Sequence, residues 1–174
     1  MIPHLGFSGI KSARFDPTRD FYRPPLREIS YNWNQFRGPN RNGHIPAQPV
    51  SIDWSKPPKA RWSTSCGLGH SSIITFGNLA ITMEQDQDQE ILIARSFDDG
   101  TEVWRVEEET KWHDMLSGTG PRSTPTLYNG KIYTLFSNGR LSCVEANTGK
   151  ANWNTQVIPN NYEFPEWKLI VMLH

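Results

Sequence analysis

Ile91–Val106 reads ILIARSFDDGTEVWRV, and Leu141–Thr155 reads LSCVEANTGKANWNT. Laid side by side at an offset of 49 residues, Leu92 falls on Leu141, Gly100 on Gly149 and Trp104 on Trp153. In each copy an apolar run meets a turn that holds a glycine. A tryptophan follows four residues after that glycine. The apolar run is short and β-branched, as strands are. The glycine supplies the positive φ that a tight reversal demands. The tryptophan then lies on the returning strand, where its ring can be buried against a neighbouring sheet and its indole N–H donated. Recurrence at one place in the unit gives Trp104 and Trp153 a packing role between units rather than a ligand stack.

Working upstream, each copy is preceded by two more short runs. SSIITF (71–76) meets Gly77-Asn78 and then LAITM (79–83). STPTLY (123–128) meets Asn129-Gly130 and then KIYTLF (131–136). Here the offset reads as 53: Ile74 on Leu127, Gly77 on Gly130, Leu79 on Ile132 and Met83 on Phe136. The four-residue change is placed in one hairpin tip, Glu84–Glu90 against Ser137–Gly139, because tips tolerate insertion and strands do not. Asn129-Gly130 and Asn138-Gly139 are pairings that type I′ hairpin turns favour. Four strands per unit and a period of about 50 residues indicate a β-propeller. The expected fold is all-β: four-stranded antiparallel meanders forming β-propeller blades, incomplete, about two blades plus flanks.

The chain has 174 residues, 13 glycines and 13 prolines, so turns are frequent and long helices disfavoured. Lys plus Arg is 18 and Asp plus Glu is 18, which argues against a generic nucleic-acid binder. The zero sum hides an asymmetry. Residues 1–61 carry ten basic against four acidic side chains, and residues 62–174 carry eight against fourteen. Arg14, Arg19, Arg23, Arg27, Arg37 and Arg41 share no period, so they read as a solvated leader rather than an anion-binding helix. No run of about 18 apolar residues is present to span a membrane. The opening MIPHLGFSGIKSARF has no stretch apolar enough for a secretory signal. The expected division is an irregular leader at 1–31, a segment leading into the propeller at 32–61, and two blades within 62–174, at about 70–106 and 121–157. A truncated extension follows, ending in the apolar KLIVMLH (168–174). Two blades do not close a ring, so the chain is expected to be a piece of a longer propeller.

The turn-plus-tryptophan units resemble the repeat of the pyrroloquinoline-quinone-like (PQQ-like) propellers. That repeat runs roughly Ala-x-Asp-x-x-Thr-Gly-Lys-x-x-Trp. Ala94 and Cys143 hold its alanine position, and Ser96 and Glu145 its aspartate position. Its turn is Asp99-Gly100-Thr101 in one copy and Thr148-Gly149-Lys150 in the other, so the second copy is the better match. PKARWST, around Trp62, is similar to the tail of a further outer strand. WNQFRGPNRNG (33–43) resembles an opening segment of secreted bacterial propellers, and GPRSTPTLYNGKIY (120–133) their inner strand. The resemblance implies a ring of several blades, often exported to the periplasm or beyond, and does not imply the quinone. Quinone-dependent dehydrogenases need adjacent cysteines, calcium-binding carboxylates and a catalytic aspartate, and this sequence has no Cys-Cys pair.

The remaining chemistry-bearing residues form no catalytic pattern. Cys66 and Cys143 lie in apolar segments and read as small core side chains. Glu84, Asp86, Asp88 and Glu90 alternate along EQDQDQE; calcium coordination is weighed against a solvated hairpin tip, and the tip is favoured. His4, His44, His70, His113 and His174 show no metal-ligand spacing, and His113 beside Asp114 reads as a surface-loop histidine. Ser71, Ser72 and Ser123 lack a nucleophile-elbow context, and Gly67-Leu68-Gly69 is too short for a dinucleotide fingerprint. No catalytic, cofactor-binding or metal-binding residue is therefore assigned, and no cofactor is expected. The leading expectation is a binding or scaffold module whose partners are a protein or small molecule and the remaining blades, with contacts carried by loops such as Glu107–Gly120. The runner-up is part of a quinoprotein dehydrogenase. A WD-type propeller is the third reading, but its Gly-His and Trp-Asp landmarks do not mark these units.

Overall fold

The computed structural model describes residues 32–45, 53–115 and 117–159; the leader at 1–31 and the KLIVMLH end lie outside them. Among the described residues ten strands follow one another: β1 (Ile74–Phe76), β2 (Leu79–Asp86), β3 (Gln89–Ser96), β4 (Glu102–Glu108), β5 (His113–Asp114), β6 (Gly118–Thr119), β7 (Thr126–Tyr128), β8 (Lys131–Leu135), β9 (Arg140–Glu145) and β10 (Ala151–Gln156). No helix occurs among the described residues. β1 to β4 form one antiparallel sheet in chain order, and β7 to β10 form a second. β5 and β6 make a short ribbon in the link between them. The described residues are thus all-β, with two four-stranded propeller blades that do not close a ring.

The residues between the blades decide the core. On the front face of blade 1, Ile81 pairs across to Ala94 and Ala94 to Trp104. Met83, Leu92 and Val106 form the next row of that face. The face of blade 2 that looks back presents Leu127, Ile132, Phe136, Val144 and Ala146. These two sets pack into one continuous hydrophobic cluster. Period-two alternation is what allows each strand to commit one face to this joint.

The ladders also correct the repeat offset of the inner strands. Ile81, Ala94 and Trp104 lie in one row, and the matching row of blade 2 is Tyr133, Cys143 and Trp153. Ile81 therefore matches Tyr133, an offset of 52 rather than 53. Loop bonds agree: Phe97 N–H donates to Asn78 O, and Ala146 N–H donates to Gly130 O. The apolar identities at 53 aligned opposite faces. Ile74, Leu79 and Met83 look forward from blade 1, whereas Leu127, Ile132 and Phe136 look back from blade 2. All are apolar because they meet in the same joint. The glycines misled for a second reason. Gly77 takes positive φ at the first turn position, while Asn129 and Gly130 take it at both positions of their turn. That pair is the expected type I′ turn. Asn138-Gly139 is not. Gly139 alone has positive φ, in a three-residue loop closed by Phe136 N–H to Arg140 O.

The expected acidic tip is corrected as well. β2 and β3 stay paired to Asp86–Gln89, leaving only Gln87 and Asp88 in the turn. The extra residues of blade 1 lengthen the ladder rather than the loop. Glu84 and Glu90 are consequently buried strand residues, not a solvated tip.

Both blades carry the same irregularity before the tryptophan: the register shifts between Glu102 and Trp104 and between Ala151 and Trp153. A bulge at that point increases local twist and re-aims the next side chain. A strap then ties the inner strands together. Trp33 bonds Thr75 of β1 twice, its N–H donating to the side-chain Oγ1 and its carbonyl accepting the Thr75 N–H, while Asn34 O accepts the Leu127 N–H of β7. These are equivalent positions in the two blades, so two consecutive residues of the strap serve one blade each.

Candidate functional site

The tryptophans define how one unit meets the next. The Trp104 ring lies over the backbone of Gly149, where an added Cβ would stand 2.7 Å from the ring. Its indole N–H donates to Ala146 O at 3.0 Å in a buried bond. Trp62 repeats the arrangement one unit earlier. Its ring lies over Gly100, and its N–H reaches Phe97 O at 2.9 Å. Gly100 matches Gly149 and Phe97 matches Ala146 at the same offset. The segment around Trp62 thus occupies the position of a preceding outer strand, in line with its resemblance to one.

Trp153 carries the same side chain at the same ladder position and has no such turn beneath it among the described residues. It remains 41% exposed, against 5% for Trp104. Its ring leans on Tyr133, with centroids 6.0 Å apart. The outward face of blade 2 carries Tyr133, Leu135, Leu141, Cys143 and Trp153, with the Lys131–Glu145 pair and Thr155 on the same face. None of its apolar or aromatic residues joins the interblade cluster. Burial is the main reason the Tyr133 phenol titrates above its ordinary range, with Cys143 adding to it.

The outward face of blade 1 has a different character. Glu84 and Arg95 approach to 3.8 Å there, and Arg105 pairs with Glu102 and with Glu107. An open groove of about 600 Å³ lies beside them, lined by Ser63, Thr64, Arg95, Asp99, Gly100, Thr101 and Glu102. Asp99 is held below the ordinary carboxylate range, first by the Thr101 N–H at 3.0 Å and then by its hydroxyl at 2.8 Å. Those bonds build the turn on which Trp62 rests.

A third constellation escaped the sequence reading. On the front face of blade 1, beyond Leu92 and Val106, the next row is Gln85, Glu90 and Glu108. It meets the Ser137–Arg140 hairpin of blade 2. Glu90 Oε2 accepts the Ser137 N–H at 2.9 Å. Glu108 Oε1 accepts Asn138 Nδ2 at 2.7 Å and lies 3.0 Å from Arg140 Nε. Burial, foremost, pushes the Glu90 carboxyl above its ordinary range, and the Glu108 charge adds to it against the opposing Ser137 bonds. The usable signal was period two. Glu90 continues Leu92 and Ala94, and Glu108 continues Trp104 and Val106.

Several expectations find their places. Cys143 is buried, as read, but Cys66 is exposed. His113 is exposed, in strand β5 of the linking ribbon, with Nδ1 2.9 Å from Thr119 Oγ1. Glu107 and Glu108 belong to β4, so the link between blades begins after them. Ser71 and Ser123 serve backbone and packing: Ser71 Oγ accepts the Met83 N–H, and Ser123 Oγ donates to Leu135 O. Among the described residues, no helix is long and apolar enough to cross a membrane. No group of three His, Cys, Asp or Glu side chains gathers among them as metal ligands.

None of the curated proteins matches this sequence. A family model of the PQQ-like repeat, described as outer membrane protein assembly factor BamB, matches residues 52–164. That span takes in both glycine turns, all three aligned tryptophans and both sheets, and the chain belongs to this PQQ-like repeat family.

Proposed function

We propose that this chain is a binding and scaffold module of the β-propeller class, with no catalysis of its own, and that it works through the outward face of blade 2. The observation that carries the reading is the contrast in indole docking. The arrangement is used twice, by Trp62 and Trp104, and Trp153 presents the same group uncovered. The complementary partner is a further four-stranded unit of the same repeat. It would offer a glycine turn for the ring and a backbone carbonyl three residues earlier for the N–H. In this reading the blades at 70–106 and 121–157 are part of a larger ring, whose remaining blades are the first partners. The family's description, an outer membrane protein assembly factor, supports a periplasmic or outer-membrane-associated setting and a protein as the eventual ligand.

The test is sedimentation velocity of the isolated chain across a concentration series, beside Trp153→Glu. Without its partner sheet, the wild-type chain associates as concentration rises, and the charged variant stays monomeric with unchanged circular dichroism. A wild-type chain that is monodisperse and monomeric at every concentration contradicts the reading.

A further inference from the structure

The row Gln85, Glu90 and Glu108 places two carboxylates side by side on adjacent strands, at the edge where blade 1 meets blade 2. Like charges directly opposite one another in a sheet are unfavourable. Glu90 is fully shut from solvent and Glu108 nearly so. Among the described residues one cation faces them from blade 2, Arg140, and it stands against Glu108. Glu90 receives the Ser137 N–H on Oε2, while its Oε1 is buried without a partner.

The other described groups around Glu90 add no positive charge. Gln85 of β2 is neutral, and its amide is committed to the Trp112 N–H and to Gln87 O. Thr110, beyond β4, has its hydroxyl on the Ser137 hydroxyl at 3.1 Å. Asn138 is neutral and bound to Glu108. Arg95 lies on the opposite face of the sheet with Glu84. Lys111 is paired with Asp88 at the exposed hairpin tip.

We propose that Glu90 and Glu108 form a one-charge clasp between the blades: Glu108 is ionised against Arg140, and Glu90 is neutral against the Ser137 N–H. A buried carboxylate without a counter-charge is costly, whereas a neutral carboxyl keeps the hydrogen bond at no Coulombic cost. Ionising Glu90 places a second negative charge at a joint that holds one cation. The clasp is therefore firm when Glu90 is protonated and slackens when it ionises.

The direction with pH follows. The unfolded chain releases this proton in the ordinary glutamate range, and the folded chain releases it higher. The stabilisation is complete below the ordinary range. It declines as pH rises from there through the raised value for Glu90, and levels off beyond it. One proton changes the folding equilibrium by at most about tenfold per pH unit in that window.

The test compares urea unfolding of the wild-type chain and Glu90→Gln across this pH range. Carboxyl-carbon NMR of the wild type is followed alongside. The amide variant keeps the size and the acceptor for Ser137 and cannot ionise. Wild type should lose stability with rising pH in the window. Glu90→Gln should lack that component and equal or exceed wild type at its upper end. The Glu90 carboxyl resonance should titrate above every exposed glutamate. The proposal is overturned if Glu90→Gln retains the wild-type slope, or if Glu90 titrates with the exposed glutamates.

Discussion

The two blades carry the same turn, the same bulge and the same tryptophan, yet their outward faces are finished differently. The free face of blade 1 sets ion pairs, Glu84 with Arg95 and Arg105 with Glu102 and Glu107, beside the buried Ile91 and Ile93, and Trp62 is docked at its edge. The free face of blade 2 offers Tyr133, Leu141 and Trp153, and among the described residues its tryptophan rests on no glycine turn. One face is finished and the other is prepared. The difference teaches that a repeat's residue type does not set its energetic weight. The weight comes from whether the next unit supplies the backbone on which the indole rests.

This comparison can be broken most sharply at the buried indole. Trp104→Ala removes a ring packed between the blades and leaves Ala146 O without its donor. A loss of about 3–5 kcal/mol is expected in urea unfolding, the range for emptying a buried aromatic site. Gly149→Ala attacks the same contact from the other side. Its left-handed backbone and the 2.7 Å approach to Trp104 both resist a Cβ, for a loss of about 2–4 kcal/mol. Gly130→Ala is the control that sharpens it. This glycine has the same backbone region but open space around it, so the loss should be about 1–2 kcal/mol. A cost for Gly149→Ala no larger than for Gly130→Ala would mean that the ring does not press on the turn.

Trp62→Ala should fall lower, at about 1–2 kcal/mol, since its ring is half-buried and makes one hydrogen bond. Trp153→Ala should cost the monomer least, within about 1 kcal/mol, because its ring is the most exposed of the three and makes no indole hydrogen bond to a turn among the described residues. The same substitution should remove most of the self-association seen in sedimentation. An unfolding loss for Trp153→Ala equal to that for Trp104→Ala would erase the distinction between the two faces.

The sequence made the blade unit readable at its turns. A reversal before an outer strand demands glycine, and a docked indole demands tryptophan, so Gly100, Trp104, Gly149 and Trp153 announced themselves. The inner hairpins were read one residue out of register, for a physical reason. Blade 1 spends its forward face on the joint and blade 2 its backward face, so apolar residues of adjacent positions mimic a repeat. The acidic row was hidden by composition. EQDQDQE has the look of a solvated loop, and only the partner blade reveals that Glu90 lies under Ser137. The strap was legible as an opening segment, but its division between Thr75 and Leu127 required the fold.

The most direct measurement is hydrogen exchange of the indole N–H groups, read by nitrogen-15 NMR at a concentration where the chain is monomeric. The Trp104 indole proton, sealed against Ala146 O, should exchange far more slowly than that of Trp153, with Trp62 between them. Equal exchange at Trp104 and Trp153 would contradict the account, because it would mean that no indole is held between the blades.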